Sequence, residues 1–176
     1  MNRCAALIID VQAGLVPGAY READVLDAIN RTIDHVRASG GVIVFIQHCH
    51  ATFDPLMKGN PGWALHESLQ PQPGDLFVEK EASDAFYATT LDAQLQGAGV
   101  TELFVTGLQT EYCVDATCRA ALSHGYAVTL VSDAHTTGDS HLPAADVVKH
   151  HNITLANLAH PTRSIRVAAS DALAAD

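Results

Sequence analysis

The chain has 176 residues, of which 48% are hydrophobic, and it carries a formal net charge of −10. This length and composition predict one globular domain, spanning residues 1–176, with a sizeable buried core. The negative charge argues against nucleic acid and an anionic membrane surface as partners. No uninterrupted apolar run in the sequence is long enough to cross a bilayer.

The predicted elements alternate between strands and helices. Strands are predicted at residues 4–10, 42–48, 76–80, 101–107, 126–134 and 162–169, and helices at 21–38, 89–99, 111–125 and 142–159. Most strand segments are continuous apolar runs, which is typical of strands buried on both faces. This alternation predicts an α/β fold with helices on both faces of a central six-stranded, mainly parallel sheet, and the last strand at an edge.

Residues 49–75 form the longest irregular segment. They are rich in Pro, Gly and Asn, and one helical turn is predicted within them at "WALHESL", residues 63–69. Long loops in compact domains are usually functional. We therefore expect the shape of this loop to influence which substrate is bound.

Three reactive side chains fall at the ends of predicted strands. Asp10 ends the first strand, Lys80 ends the third, and Cys113 follows the fourth, where a helical pattern begins. Taken alone, each has a structural explanation: a turn cap, a solvated loop residue and a small core residue. In parallel α/β sheets, however, active sites lie beyond the carboxyl ends of the strands. The coincidence of all three on one rim therefore favours a catalytic site.

The chemistry of these residues gives a reason for the combination. A thiol is nucleophilic as its thiolate, and a helix N-terminus and the Lys80 ammonium are both expected to lower the pKa of Cys113. Asp10 is expected to take the thiol proton, return it to the leaving group and later activate water. Backbone N–H groups near Gln109 and Cys113 are expected to bind the oxyanion, at roughly 3–4 kcal/mol per donor.

The sequence also resembles a known family. The strings "LIIDVQ" (7–12), "EKEASDAF" (79–86) and "TGLQTEYCVDATCRAALSHGYAVTLVSDAHTT" (106–137) are similar to those of the isochorismatase-like cysteine hydrolase superfamily. This superfamily includes nicotinamidases, N-carbamoylsarcosine amidases and ureidoacrylate-type amidases. The resemblance covers nearly the whole chain. It implies a three-layer α/β/α sandwich, a catalytic triad of Asp10, Lys80 and Cys113, and a cis peptide between Leu108 and Gln109.

The resemblance further implies a small-molecule substrate and a homo-oligomer, either a dimer or a tetramer. The predicted substrate contacts surround the triad: Gln12, Gln47, Trp63, Phe86, Tyr87, Thr110 and Tyr112. Among them, Trp63, Phe86 and Tyr87 would wall an aromatic or planar substrate, or else they cover the core.

The histidines of the chain raise the question of a metal. Nicotinamidases of this superfamily bind zinc or a similar ion through an Asp-x-His after the second strand and a further histidine. In "QHCHATFDP" (47–55), His48 stands where the aspartate would be, His50 follows, and His66 would be the third ligand. Three imidazoles do bind zinc. Because other members lack the metal, we expect no cofactor, with zinc at these histidines as the alternative.

Together, these patterns predict a cysteine hydrolase that cleaves a C–N bond of a small amide, carbamoyl or ureido compound through a thioester. Two alternatives stay open. One is an isochorismatase-type hydrolase of a vinyl ether, against which the presence of Cys113 counts. The other is a non-catalytic, redox-responsive member of the fold. The four cysteines show no CxxC pairing, which favours a reduced, cytoplasmic setting over a disulfide framework.

Overall fold

The structure, a computed structural model, describes residues 3–173. Its strands are β1 (Arg3–Ile9), β2 (Val42–His48), β3 (Leu76–Lys80), β4 (Val100–Leu108), β5 (Ala127–Thr136) and β6 (Ile165–Ala168), and its α-helices are α1 (Glu22–Ala38), α2 (Leu91–Gly97), α3 (Asp115–Ser123) and α4 (Ala144–Ala156). The strands form one sheet in the order β3-β2-β1-β4-β5-β6, and every pairing is parallel. None of the described helices is long and apolar enough to span a membrane.

The helices cover both faces of this sheet. Along β1, Ala6 and Ile8 point into a core shared with α1, while Ala5, Leu7 and Ile9 point into a second core shared with α2, α3 and α4. This division follows from the two-residue repeat of a strand, because successive side chains lie on opposite faces. The predicted three-layer α/β/α sandwich is confirmed, and β6 lies at an edge as expected.

Gly107 brings β4 unusually close to β1 at the carboxyl end of the sheet. Its φ is +114°, and a Cβ at this position would collide with the carbonyl oxygen of Ile9. Only glycine combines that backbone conformation with the absence of a side chain. The close approach places Asp10, which follows Ile9, beside the segment that follows β4.

Two helix predictions need correction. The segment 63–69 is not helical: a short 3₁₀ turn covers Pro61–Trp63, and Leu65 forms an isolated antiparallel bridge with Gln12. Pairing with Gln12 uses the backbone in an extended form, which a helical turn would not allow. The helix predicted at 111–125 also begins later, because a π-helical turn over Thr110–Val114 precedes α3.

Candidate active site

The buried end of the Lys80 side chain lies at the centre of the candidate site. Its ammonium nitrogen is 2.8 Å from Asp10 Oδ2 and donates to Cys113 Sγ at 3.1 Å and to the carbonyl oxygen of Ala82 at 3.1 Å. It is also 2.9 Å from His48 Nδ1. The side chains of Lys80 and Asp10 are 0% and 2% exposed. The structure thus brings the three residues of the predicted triad together, and His48 joins them.

Strand ends and one turn place these groups. Asp10 follows β1 in the left-handed region at φ 54°, a conformation that Asp tolerates better than most residues, and its N–H donates to the carbonyl of Ile46 on β2. His48 and Lys80 are register partners at the ends of β2 and β3. Cys113 lies in the π-helical turn after β4 and is 9% exposed. The peptide bond between Leu108 and Gln109, just before this turn, is cis.

Burial dominates the electrostatics of the site. It raises the pKa of the Asp10 carboxyl, although Lys80 opposes this shift. Burial, assisted by the Asp10 charge, raises the pKa of the Cys113 thiol to about 11, again against the effect of Lys80. The expectation of a lowered Cys113 pKa is therefore wrong for the free protein, because the sequence pattern could not weigh desolvation against a single ammonium. At neutral pH Cys113 therefore keeps its proton, beside the pair of Asp10 and Lys80.

Residues 4–163 match the Isochorismatase domain family. The chain belongs to the isochorismatase family. A streptothricin hydrolase of Streptomyces noursei is 41% identical over 144 residues, which cover 80% of this chain and 51% of that relative. A ureidoacrylate amidohydrolase of Methylobacterium radiotolerans is 36% identical over 104 residues, which cover 58% of this chain and 37% of that relative. The chain therefore spans about half, or less, of the length of these relatives.

Solved structures of the isochorismatase family agree with this assignment. One isochorismatase family protein superposes with a TM-score of 0.84 at 35% identity, over 93% of this chain and 96% of that one. The predicted family is thus confirmed, and the solved structure shares the fold of this chain.

Gln12 and Gln47, both predicted as substrate contacts, have their side-chain amides bonded to backbone. Gln12 Nε2 donates to the carbonyls of Trp63 and His48, and its Oε1 accepts from the His48 N–H at 2.8 Å. Gln47 Nε2 donates to the same Trp63 carbonyl at 2.9 Å. The indole of Trp63 in turn donates to Cys49 Sγ. The two glutamines therefore attach the long loop to the end of β2.

Of the three aromatic side chains predicted either to line the substrate site or to cover the core, Phe86 covers the core. Its ring is buried in the core and stacks on His124 and Tyr126, at 4.6 and 5.9 Å between ring centroids. Burial of its apolar ring on this core explains the placement. Tyr87 and Tyr112 are exposed, and their role as substrate contacts stays a prediction. A cavity of about 450 Å³ beside the site is lined by Cys49, Glu79, Lys80, Glu81, Ala82, Tyr87 and Ala88.

A chain of hydrogen bonds supports the turn over Thr110–Val114, which carries Cys113. The hydroxyl of Thr110 lies 2.9 Å from His135 Nδ1, His135 Nε2 lies 3.0 Å from Asn152 Oδ1, and Asn152 Nδ2 donates to the carbonyl of Ser132. Thr110 was predicted to bind substrate, and Asn152 was interpreted only as a packing or hydrogen-bonding group of the last helix. His135, which sequence reasoning missed, is the next-to-last residue of β5 and the register partner of Gly107 on β4.

The three histidines considered for zinc do not gather around one point. His50 Nδ1 accepts from the N–H groups of Thr52 and Phe53, and His66 Nδ1 pairs with Ser68. Within residues 3–173, the metal-ligating side chains that do gather are Asp10, His48 and Cys113, with ligand atoms within 4.8 Å of one another. The Lys80 ammonium contacts all three of these side chains. The three histidines considered for zinc therefore do not fit a zinc site in this structure.

Proposed function

We propose that this protein is a cysteine hydrolase that cleaves a C–N bond of a small amide, carbamoyl or ureido compound. The observation that carries the proposal is the Lys80 ammonium, which bonds both the Asp10 carboxylate and the Cys113 sulfur in a buried site at the carboxyl end of the sheet. A nucleophile, a proton acceptor and a fixed positive charge are the parts that acyl transfer through a cysteine requires.

The first half of the reaction uses Asp10 as a general base. The Cys113 thiol keeps its proton at neutral pH, because its pKa is raised to about 11. Asp10 removes that proton as the sulfur attacks the substrate carbonyl carbon. The Asp10 carboxyl is suited to this step because burial raises its pKa and so makes it a stronger base than an exposed carboxylate. Its Oδ1 has no hydrogen-bond partner among the described residues, and we assign the proton to that oxygen.

The second half returns the proton and releases the acid. Asp10 protonates the leaving nitrogen, the C–N bond breaks, and a thioester remains on Cys113. Asp10 then takes a proton from a water molecule whose oxygen attacks the thioester carbon. The C–S bond breaks, the acid leaves, and Asp10 returns the proton to the sulfur, which restores the thiol. The N–H groups of Gln109 and Cys113 are the proposed donors to the oxyanion in both halves, and Lys80 transfers no proton in either half.

The relatives support the class of reaction. One is named an amidohydrolase of ureidoacrylate and another a hydrolase of streptothricin. The raised pKa of Cys113 also disfavours the redox-responsive alternative, because thiols that oxidise readily are those that ionise readily. A vinyl-ether substrate would need no nucleophilic thiol, so the position of Cys113 beside Asp10 favours the amide class.

A test begins with ammonia release from a panel of primary amides, carbamoyl compounds and ureido acids. For any active compound, we expect wild type to show a covalent adduct on the peptide that contains Cys113 when the reaction is quenched in acid. Cys113→Ser should lose about 10⁶-fold in kcat, the order of loss measured when the nucleophile of a catalytic triad is removed.

The matched control is Cys4→Ser, which removes a thiol at the opposite end of the sheet from the candidate site. It should keep full activity. Hydrolysis that survives in Cys113→Ser, or an adduct on another cysteine, would rule out the proposed mechanism.

A further inference from the structure

The Lys80 ammonium has more acceptors than it can serve at once. A protonated lysine carries three N–H bonds. Four acceptor atoms lie within hydrogen-bond distance: Asp10 Oδ2 at 2.8 Å, His48 Nδ1 at 2.9 Å, and the Ala82 carbonyl and Cys113 Sγ at 3.1 Å. Two of these acceptors are neutral in every state of the proposed reaction, namely the imidazole of His48 and the carbonyl of Ala82. The other two, Asp10 and Cys113, exchange a proton.

We propose that His48 is a positioning residue, which together with the Ala82 carbonyl holds two N–H bonds of Lys80 so that the third swings between Asp10 and Cys113. This inference rests on the proposed function, because it explains how Lys80 stabilises the negative charge before and after the first proton transfer of that reaction. The negative charge moves from the Asp10 carboxylate to the Cys113 sulfur as the proton moves from the sulfur to the carboxyl. The third N–H bond of Lys80 moves with the charge, and the ammonium itself stays in place.

Without the His48 acceptor, the number of acceptors would match the three N–H bonds, but only the Ala82 carbonyl would still hold the ammonium in place. Because a carboxylate attracts an ammonium more strongly than a neutral thiol does, Lys80 would shift toward Asp10 and lengthen its 3.1 Å contact with Cys113 Sγ. The state with a protonated Asp10 and a Cys113 thiolate would then be harder to reach. His48 therefore makes the two charge states more nearly equal in energy, although it touches neither the nucleophile nor the transferred proton.

The fold fixes His48 for this task. Its backbone N–H and carbonyl are both bonded to the side chain of Gln12, which is fully buried, and its strand register places it opposite Lys80. Because Nδ1 accepts from an ammonium, the imidazole proton resides on Nε2. Burial and the nearby Lys80 charge lower the pKa of His48 to about 4, so the ring stays a neutral acceptor at neutral pH. The charged or titratable neighbours of this ring are Lys80, Asp10, Cys113 and His50.

The experiment compares His48→Leu with His48→Asn. Asn can place an acceptor oxygen near the position of Nδ1, whereas Leu fills similar space without one. The readout is the rate of Cys113 alkylation by iodoacetamide against pH, measured by peptide mass spectrometry. Since a hydrogen bond to a charged group is worth a factor of about 10–100, His48→Leu should slow alkylation at pH 8 by that factor. The pH profile of Cys113 alkylation in His48→Leu should shift by about one to two units toward higher pH. The alkylation rate in His48→Asn should stay within about threefold of the wild-type rate.

Several outcomes would overturn the inference. Wild-type alkylation in His48→Leu would mean that the acceptor is dispensable, and equal slowing in both variants would mean that only the imidazole's shape matters. If His48→Leu fails to fold, His48→Gln replaces it, because its amide reaches toward the Nε2 position and should slow alkylation where His48→Asn does not. Cys4 provides the internal control, since its alkylation rate should be the same in every variant.

This measurement needs no substrate, so it separates the two proposals. Slowed alkylation in His48→Leu with rescue by His48→Asn supports the positioning role even if no amide is ever hydrolysed. Where a substrate is found, His48→Leu should lower kcat more than it changes KM, because the proposed role of His48 acts through Lys80.

Discussion

Two histidines lie near the turn that carries Cys113, and each bonds a different kind of partner. His48 ends β2, is partly exposed and bonds a charged partner, the Lys80 ammonium. His135 lies near the end of β5, is 1% exposed and bonds the neutral partners Thr110 and Asn152. The pKa of each ring is lowered to about 4, mainly by burial. Both are therefore neutral at pH 7, and each has one nitrogen that accepts and one that carries a proton.

The two histidines differ in the group that each one keeps in position. His48 fixes the position of a charge, so its loss should change the ionisation of Cys113. His135 fixes the position of backbone, because Thr110 is the first residue of the turn that carries Cys113. Its loss should change stability and leave the ionisation of the thiol alone. The following variants test this contrast.

The largest effect is expected from Lys80→Met, which removes the charge that His48 holds. A buried Asp10 without its partner should cost about 3–5 kcal/mol of unfolding free energy at pH 8. Burial raises the folded-state pKa of Asp10, so folding takes up a proton and this cost should shrink as the pH falls toward 4. Urea denaturation at several pH values measures it. Lys58→Met, which breaks an exposed pair with Glu79, should change little.

An intermediate effect is expected from the titration of His135. Its folded pKa of about 4 lies below its ordinary value of 6.5, so the unfolded chain binds more protons between these values. Stability is therefore complete above pH 6.5 and falls on acidification to about 4, by about 3 kcal/mol from this residue. In His135→Asn, that part of the pH dependence should disappear from denaturation curves. A curve as steep as wild type would contradict the buried neutral state, and the exposed His141→Asn serves as control.

The smallest effect is expected from Thr110→Val, which removes one hydroxyl of the His135 chain. It leaves His135 Nδ1 buried without its partner and should cost about 1–3 kcal/mol. The control is Thr32→Val, whose hydroxyl donates to a carbonyl within α1 and should cost less. Cys113 alkylation distinguishes the roles of the two histidines. Its pH profile should stay unchanged in Thr110→Val and shift in His48→Leu. A shift of similar size in both variants would mean that the two histidines act alike.

Local sequence patterns were sufficient to predict the sheet and the strand-end residues. Continuous apolar runs such as residues 4–10 and 42–48 can be buried only between two layers, which is why the α/β sandwich could be predicted. Asp10, Lys80 and Cys113 could be selected because strand ends of a parallel sheet share one rim. The 63–69 segment was misjudged because its backbone pairs with Gln12, more than fifty positions earlier in the chain.

By itself, the sequence determined the family, the order of elements and which reactive residues reach the rim of the sheet, since each of these follows from local pattern or from matching strings. Only the tertiary structure decided how those residues interact. The register of β2 against β3 places His48 opposite Lys80. Packing against Tyr126 places Phe86 in the core instead of the site. Burial, which depends on the whole fold, raised the pKa of Cys113 where the neighbouring ammonium alone would have lowered it.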